Sequence, residues 1–494
     1  MRHLLPLLLT LLLMGCGERD GAETGAEAEG NSGRSKPEWQ TKELERKIRV
    51  RALIPQLADP SPERRQAALA ELRNTLIRKR DVPELNQEID RHADPDDTSL
   101  LWDLAFQLEF ESEWRLPDKT WTTDVKECES RWRAEFEELG CDAGLYVGQD
   151  GLRLAVPITP GNGAAVIDRI LLLEPTILSL RGSLADMSFL GTLASLETLH
   201  LDKATGTELP PLKDMAKLGS LDLRSTEVTD LTPLEGMPSL FSLDLKRARG
   251  VRDLKPLVGL PELGWLELQG TGVTDLTPLA SMPELMSLNL RDTDVKDLTP
   301  LGGLDHLERL NLMNTPVTEL TPIDGLTGMK FLDLAGTGVS DLSPLKSMRE
   351  LWLLDIRRTE VTDLSPLKGL PKLRWLYLQN TGVTDLSPLE GLPKLWELNL
   401  ANTKVADLTP LAGLDHLERL YLTNTRVTDL TPLEGLSNLQ FLHLSGTGVS
   451  DLTPLKDLSE LWQLNIRGTL VTDLTPLEGN PYLKDLRLEE TTAD

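Results

Sequence analysis

The sequence predicts an α/β solenoid: short coils stacked into a horseshoe with one long parallel β-sheet and short 3-10 or helical turns, preceded by a small, mostly helical domain. Three observations predict it. Leu-x-Leu pairs return with a period of 22, as at Leu199, Leu221 and Leu243, and run on to Leu486. Each pair is followed by a stretch such as Val273-Thr-Asp-Leu-Thr-Pro-Leu279. The chain is 40% hydrophobic but only 4% aromatic, so repeated aliphatic slots must build the core. Composition also excludes several functions. A formal net charge of −26 in 494 residues leaves no basic footprint for nucleic acid and opposes adsorption to an anionic membrane. Three cysteines exclude a disulfide-dense scaffold and a four-cysteine zinc site.

Taken in chain order, the first element is an address. Residues 1–16 read MRHLLPLLLTLLLMGC. Arg2 gives a positive start, and the apolar run Leu4 to Met14 is too short to span roughly 30 Å of hydrocarbon. It fits the apolar region of a secretory signal, residues 1–15. Leu13-Met14-Gly15-Cys16 resembles the lipobox of bacterial lipoproteins. The resemblance implies that Cys16 is diacylated. It also implies membrane contact through that lipid and residence in the bacterial cell envelope, on the extracytoplasmic side. The other reading is an ordinary signal peptide with an incidental cysteine. Residues 16–36 follow as the lipidated cysteine and a polar, flexible tether. With Cys16 lipidated, Cys128 and Cys141 remain; export favours one disulfide between them over two free thiols.

Residues 37–175 read as a mostly helical domain or cap. Leu44, Ile48, Leu53, Ile54 and Leu57 make one amphipathic face. Asp59-Pro60-Ser61-Pro62 breaks that helix and starts the next. The stretch DPSPERRQAALAEL resembles a single HEAT-type helix pair, which cannot form a solenoid alone. Leu100 to Trp114 and Val125 to Leu139 read as two further helices. Trp102, Trp114, Trp121 and Trp132 suit a small core better than a site. Gly144 to Val156, centred on Asp150-Gly151, reads as a hairpin that caps the first repeat.

Residues 176–494 hold about 14 repeats of the Leu-x-Leu unit. They are identified as leucine-rich repeats, and Val-Thr-Asp-Leu-(Ser/Thr)-Pro-Leu resembles the 22-residue repeats of internalins. The expected fold is a leucine-rich-repeat horseshoe. In one repeat, alternation points Leu266 and Leu268 inward and Trp265 and Glu267 outward. Val273, Leu276, Leu279 and Leu285 complete the inner side. Thr277 and Pro278 read as a helix N-cap and first position, and Pro283 helps end the turn. One step, from Leu243 to Leu266, is longer by a single residue, which falls in Lys246-Arg247-Ala248-Arg249-Gly250.

Three columns depart from a plain repeat. Threonine stands where leucine-rich repeats usually carry asparagine, from Thr226 and Thr271 through Thr469. An acid recurs at Asp230, Asp253, Asp275, Asp297, Glu319 and onward to Asp473. Each acid is expected to accept backbone N–H bonds at its turn; the alternative is calcium, for which one carboxylate per turn is too few. A longer period overlies the short one. Gly-Leu-Asp-His-Leu-Glu-Arg-Leu occurs at 303–310 and 413–420, and every such match is offset by five repeats. A five-repeat block has been duplicated.

The outward strand positions give the candidate site. Trp265, Arg309, Phe331, Leu353, Trp375, Tyr377, Arg419, Tyr421 and Phe441 share the concave sheet face. Large aromatics expected on a solvent-facing sheet mark a binding surface. Trp352, Trp396 and Trp462 sit one position earlier and are expected at the sheet rim. No phosphate loop, metal-spaced His/Cys cluster or nucleophile elbow is present, so the expectation is a non-enzyme without cofactor or metal. The expected partner is an unidentified protein, met along a face roughly 60 Å long at about 4.8 Å per strand. A structural envelope spacer and a glycan-binding surface are the alternatives. Internalins bind host receptors; that role is not carried over, because the chain shows a lipobox and no C-terminal wall-sorting signal.

Overall fold

A computed structural model describes residues 144–148, 151–157, 166–167, 170–171 and 175–487, the last without 183–186, 211, 481–482 and 484. The expected signal peptide, Cys16, tether, leading helices and the Cys128–Cys141 bridge lie outside the described residues.

The hairpin is present. Strand β1 (Gly144–Gly148) pairs antiparallel with β2 (Gly151–Pro157), with Gly148 opposite Gly151. β2 then pairs parallel with β3 (Ile177–Arg181). The parallel sheet therefore starts on the hairpin, ahead of the first repeat, and β2 covers what would be an open edge. From β3 onward each strand pairs parallel with the next, through β17 (Asp485–Arg487). The Leu-x-Leu pairs stay in register throughout, Leu332 beside Leu354 and Leu354 beside Leu376. Among the described residues, only the β1–β2 pairing in this 17-stranded sheet is antiparallel.

Each coil turns its aliphatic set inward. Leu266, Leu268, Val273, Leu276, Leu279, Met282 and Leu285 are all buried. At roughly 1.5–3 kcal/mol per buried side chain, such a set is the main stabilising term of a turn. It is realised only between two neighbouring turns, because one coil cannot enclose it. The turn after each strand is a 3-10 helix, Thr277–Ser281 in this repeat. Thr277 is its first residue, not its N-cap; Leu276 holds that place without a side-chain bond. The capping acceptor is the acidic column instead. Asp275 Oδ1 accepts the Thr277 N–H at 2.9 Å. The same bond recurs from Asp230 and Asp341 to Asp429 and Asp473, at 2.8–2.9 Å. A carboxylate two residues back suits a 3-10 start, where proline already occupies the next position.

The threonine column is also internal. Thr226, Thr271 and Thr337 are buried, and each hydroxyl donates to the carbonyl three residues back at 2.6–2.7 Å. The residue before each of these threonines is left-handed, at φ +55° to +59° for Ser225, Asp292, Asn314, Arg358 and Asn380, and Arg247, before Ala248 in the longer repeat, is too, at +62°. Glycine fills the same place at 270, 336, 446 and 468. Left-handed backbone costs a Cβ-bearing residue roughly 1–2 kcal/mol, least for Asn and Asp, which explains the Asn, Asp and Gly enrichment. The one longer repeat keeps the strand register, with Leu243 beside Leu266. Its extra residue is taken up off the sheet, where Val251 N–H bonds the Ala248 carbonyl at 3.1 Å. A Cβ at Gly250 would lie 2.6 Å from Thr229 Cγ2 and 2.8 Å from the Val228 carbonyl oxygen.

Two stability changes follow. Gly250→Ala is expected to cost about 1–3 kcal/mol, because a backbone oxygen must move. Thr337→Val is expected to cost about 1 kcal/mol through its lost hydrogen bond. Urea unfolding of each variant against the parent measures both, and an unchanged midpoint for Gly250→Ala would contradict the packing described.

Candidate functional site

Every three-residue strand gives the sheet face two side chains. The nine candidate residues come from β7 (Trp265–Glu267), β9 (Arg309–Asn311), β10 (Phe331–Asp333), β11 (Leu353–Asp355), β12 (Trp375–Tyr377), β14 (Arg419–Tyr421) and β15 (Phe441–His443). They do share one face. They are not solvent-facing, however. Trp265, Phe331, Leu353, Trp375, Tyr377, Arg419 and Phe441 are buried, Trp375 to 1% exposure; Arg309 and Tyr421 are half-buried. Parallel strands about 4.8 Å apart bring equal positions of successive turns into side-chain contact. Large side chains there cover one another, and alternation alone does not reveal that.

The covering follows a pattern. The Arg309 guanidinium lies over two rings, 5.4 Å from the Trp265 centroid and 4.6 Å from that of Phe331. Arg419, its counterpart one block later, lies 4.9 Å from Trp396 and 4.1 Å from Phe441. The tryptophans expected at the rim close the stack. Trp352 sits 5.2 Å from Phe331, Trp396 edge-on at 6.0 Å from Trp375, and Trp462 edge-on at 4.4 Å from Phe441. Tyr421 meets His443 edge-on at 4.8 Å. Desolvated cation–π contacts of this kind are worth about 2 kcal/mol each. Burial lowers the Arg309 pKa to about 10, so the guanidinium remains charged at neutral pH.

The second outward position carries acids and amides that outward-facing aromatics had overshadowed. Asp222, Asp244, Asn289, Asn311, Asp333 and Asp355 each accept the backbone N–H two residues on, at 2.9–3.1 Å. Their recurrence between the paired leucines was the available signal. In β5 (Ser220–Asp222), burial works against ionisation of Asp222. His200, at 3.3 Å, and the bidentate Arg224 outweigh that and hold its carboxyl well below the usual range. Burial instead pushes Asp244 up to about 6. At the centre, Arg357 pairs with Asp355, its Nη2 2.7 Å from Oδ2. Asp333, beside Asp355 on the next strand, has a fully buried Oδ2 with no hydrogen-bond partner. Burial, reinforced by the Asp355 charge, raises Asp333 to about 8. Among the described residues no group of three or more His, Cys, Asp or Glu could hold a metal ion. The acids of this face are structural acceptors and ion-pair members.

Asp333 gives a pH prediction. Its folded pKa of about 8 lies above the unfolded value of about 3.9, so the folded state binds the extra proton between them. Stability should therefore fall as pH rises from about 4 to about 8. Asp333→Asn, a neutral stand-in for the protonated acid, should flatten that slope. It should gain at least about 1 kcal/mol at pH 8 in denaturant unfolding, since one pKa unit is worth that much.

Comparison with known proteins places these features. A family model described as leucine-rich repeats (2 copies) matches residues 371–413 and 415–457. No curated protein matches the chain in sequence. Among solved structures, an internalin (inlF) of Listeria monocytogenes is 29% identical, with a TM-score of 0.52, over 56% of this chain and 82% of its own. A second internalin of that organism (inlC2) is 35% identical over 37% of this chain and 81% of its own, at a TM-score of 0.37. The Leptospira interrogans leucine-rich-repeat protein LIC12759 shares the fold at 20% identity and a TM-score of 0.57, over 69% of this chain and 96% of its own. The chain carries internalin-like leucine-rich repeats.

Proposed function

We propose that this chain is a lipid-anchored, extracytoplasmic scaffold that binds another protein along its concave sheet face. One observation carries the reading. The interior needs only aliphatic residues, yet the sheet face is furnished with stacked aromatics and arginines from β7 to β15. Those stacks hold the face rigid, so a partner meets side chains that have already lost their rotamer freedom. The partner's contacts fall on the half-buried members, Tyr421, Arg309, Trp352 and Trp396, while Trp375 and Phe441 support them from beneath. No motif for catalysis accompanies this surface, and the scaffold acts by binding. Cys16 and the polar residues 17–36 would hold it at the membrane and let it reach outward.

Two experiments test the reading. A photo-crosslinking residue in place of Tyr421 is expected to yield protein adducts in cells. The same residue at Glu434, on the 3-10 side, is expected to yield few. Adducts at Glu434 alone would remove the sheet face as the binding surface. Cys16→Ser is expected to abolish palmitate incorporation and shift the protein out of the membrane fraction; unchanged labelling would end the lipid-anchor proposal.

A further inference from the structure

The duplicated block supplies an internal control, because positions five repeats apart occupy equivalent places in the coil. Trp265 and Trp375, Arg309 and Arg419, and Phe331 and Phe441 are the same in both copies, and they build the sheet-face stacks. The leading edge of the sheet is different. The first copy has Glu262, Gly264, Glu284 and Met286; the second has Lys372, Arg374, Lys394 and Trp396. Two carboxylates have given way to three cations, and a methionine to a tryptophan, in a chain of net charge −26.

The structure places the changed residues side by side. Arg374 N–H donates to the Trp352 carbonyl at 2.8 Å, and Trp396 N–H to the Arg374 carbonyl at 2.9 Å. Trp352, Arg374 and Trp396 thus stand in one column before β11, β12 and β13 (Glu397–Asn399), all half-buried. Lys394 beside them is exposed; Lys372 is half-buried and meets Glu350. The fold does not require Lys372, Arg374, Lys394 or Trp396, since the first copy forms the same coil with glutamates, glycine and methionine; Trp352 recurs as Trp462.

Building on the protein-binding reading above, we infer that Trp352, Arg374 and Trp396, with Lys372 and Lys394, form a docking site for an acidic polypeptide segment carrying an aromatic side chain. The cations match carboxylates, and the two indoles offer an apolar, stacking contact. The site is narrow, three turns or roughly 15 Å. In the same column Lys330, paired with Glu308 at 2.7 Å, precedes Trp352, and Glu418, an acceptor for Trp396, follows Trp396. A flat anionic surface would press against the Glu418 carboxylate, whereas a single extended segment can end before it.

The test is isothermal titration of the full chain with a random copolymer of glutamate and tyrosine. Saturable, salt-sensitive binding is expected. It should weaken at least tenfold in Lys372→Glu/Arg374→Gly/Lys394→Glu/Trp396→Met, which restores the first copy's residues, and clearly in the surface variant Lys372→Glu/Lys394→Glu. Circular dichroism checks that both fold. Absent binding, equal binding by the surface variant, or tighter binding to phosphatidylglycerol vesicles or heparin would overturn the inference. Tyr421 adducts that form while copolymer binding is absent would sink this site and leave the protein-binding reading standing. Copolymer binding without Tyr421 adducts would do the reverse.

Discussion

Everything in this molecule depends on the fact that no single coil can bury its own leucines. One turn has an inner side of about seven aliphatic groups, as from Leu266 to Leu285, and nothing to enclose them. Only a neighbour with the same shape does so. That requirement forces parallel, in-register strands, and it sets the spacing of every other side chain. The sheet-face stacks result from side chains of neighbouring turns being brought into contact, while the capping aspartates and the threonines bond within their own turn.

The same constraint explains what was legible in the sequence. Period 22, the Leu-x-Leu register and the inward residues could be read directly, because each rests on one repeat and its neighbour. The hairpin at 144–157 was readable from Asp150-Gly151 and alternating residues. The accessibility of the sheet face was not. It depends on how Trp352 lies on Phe331 and Arg309 on Trp265, contacts between turns that alternation within one strand does not encode. The first helical residue was misplaced for a related reason. Thr277 has a capping side chain, but the Asp275 carboxylate, two positions earlier, reaches the free N–H first. The left-handed column is marked by Asn, Asp or Gly before most of the threonines, but Arg358, and Arg247 before Ala248, adopt it without that signature.

Charge on the sheet face is arranged with some strictness. Arg357 pairs with Asp355, while Asp333 Oδ2 has no hydrogen-bond partner. Asp222, by contrast, has both Arg224 and His200. Two buried acids of the same column thus lie on opposite sides of the normal carboxylate range, and the difference comes from which partners their own and adjacent turns supply. A repeated backbone therefore does not mean a repeated electrostatic environment.

The single lengthened coil shows how far the backbone spacing is independent of chain length. The added residue at 246–250 leaves Leu243 beside Leu266, as if nothing had been inserted. Distance along the face is counted in turns, in the way a ruler counts in divisions, and residues added off the sheet do not stretch the scale. Sequence can be gained or lost there while the interval between any two groups on the face stays fixed. Such a molecule can change its outer contour over time and still present the same measure to whatever it meets.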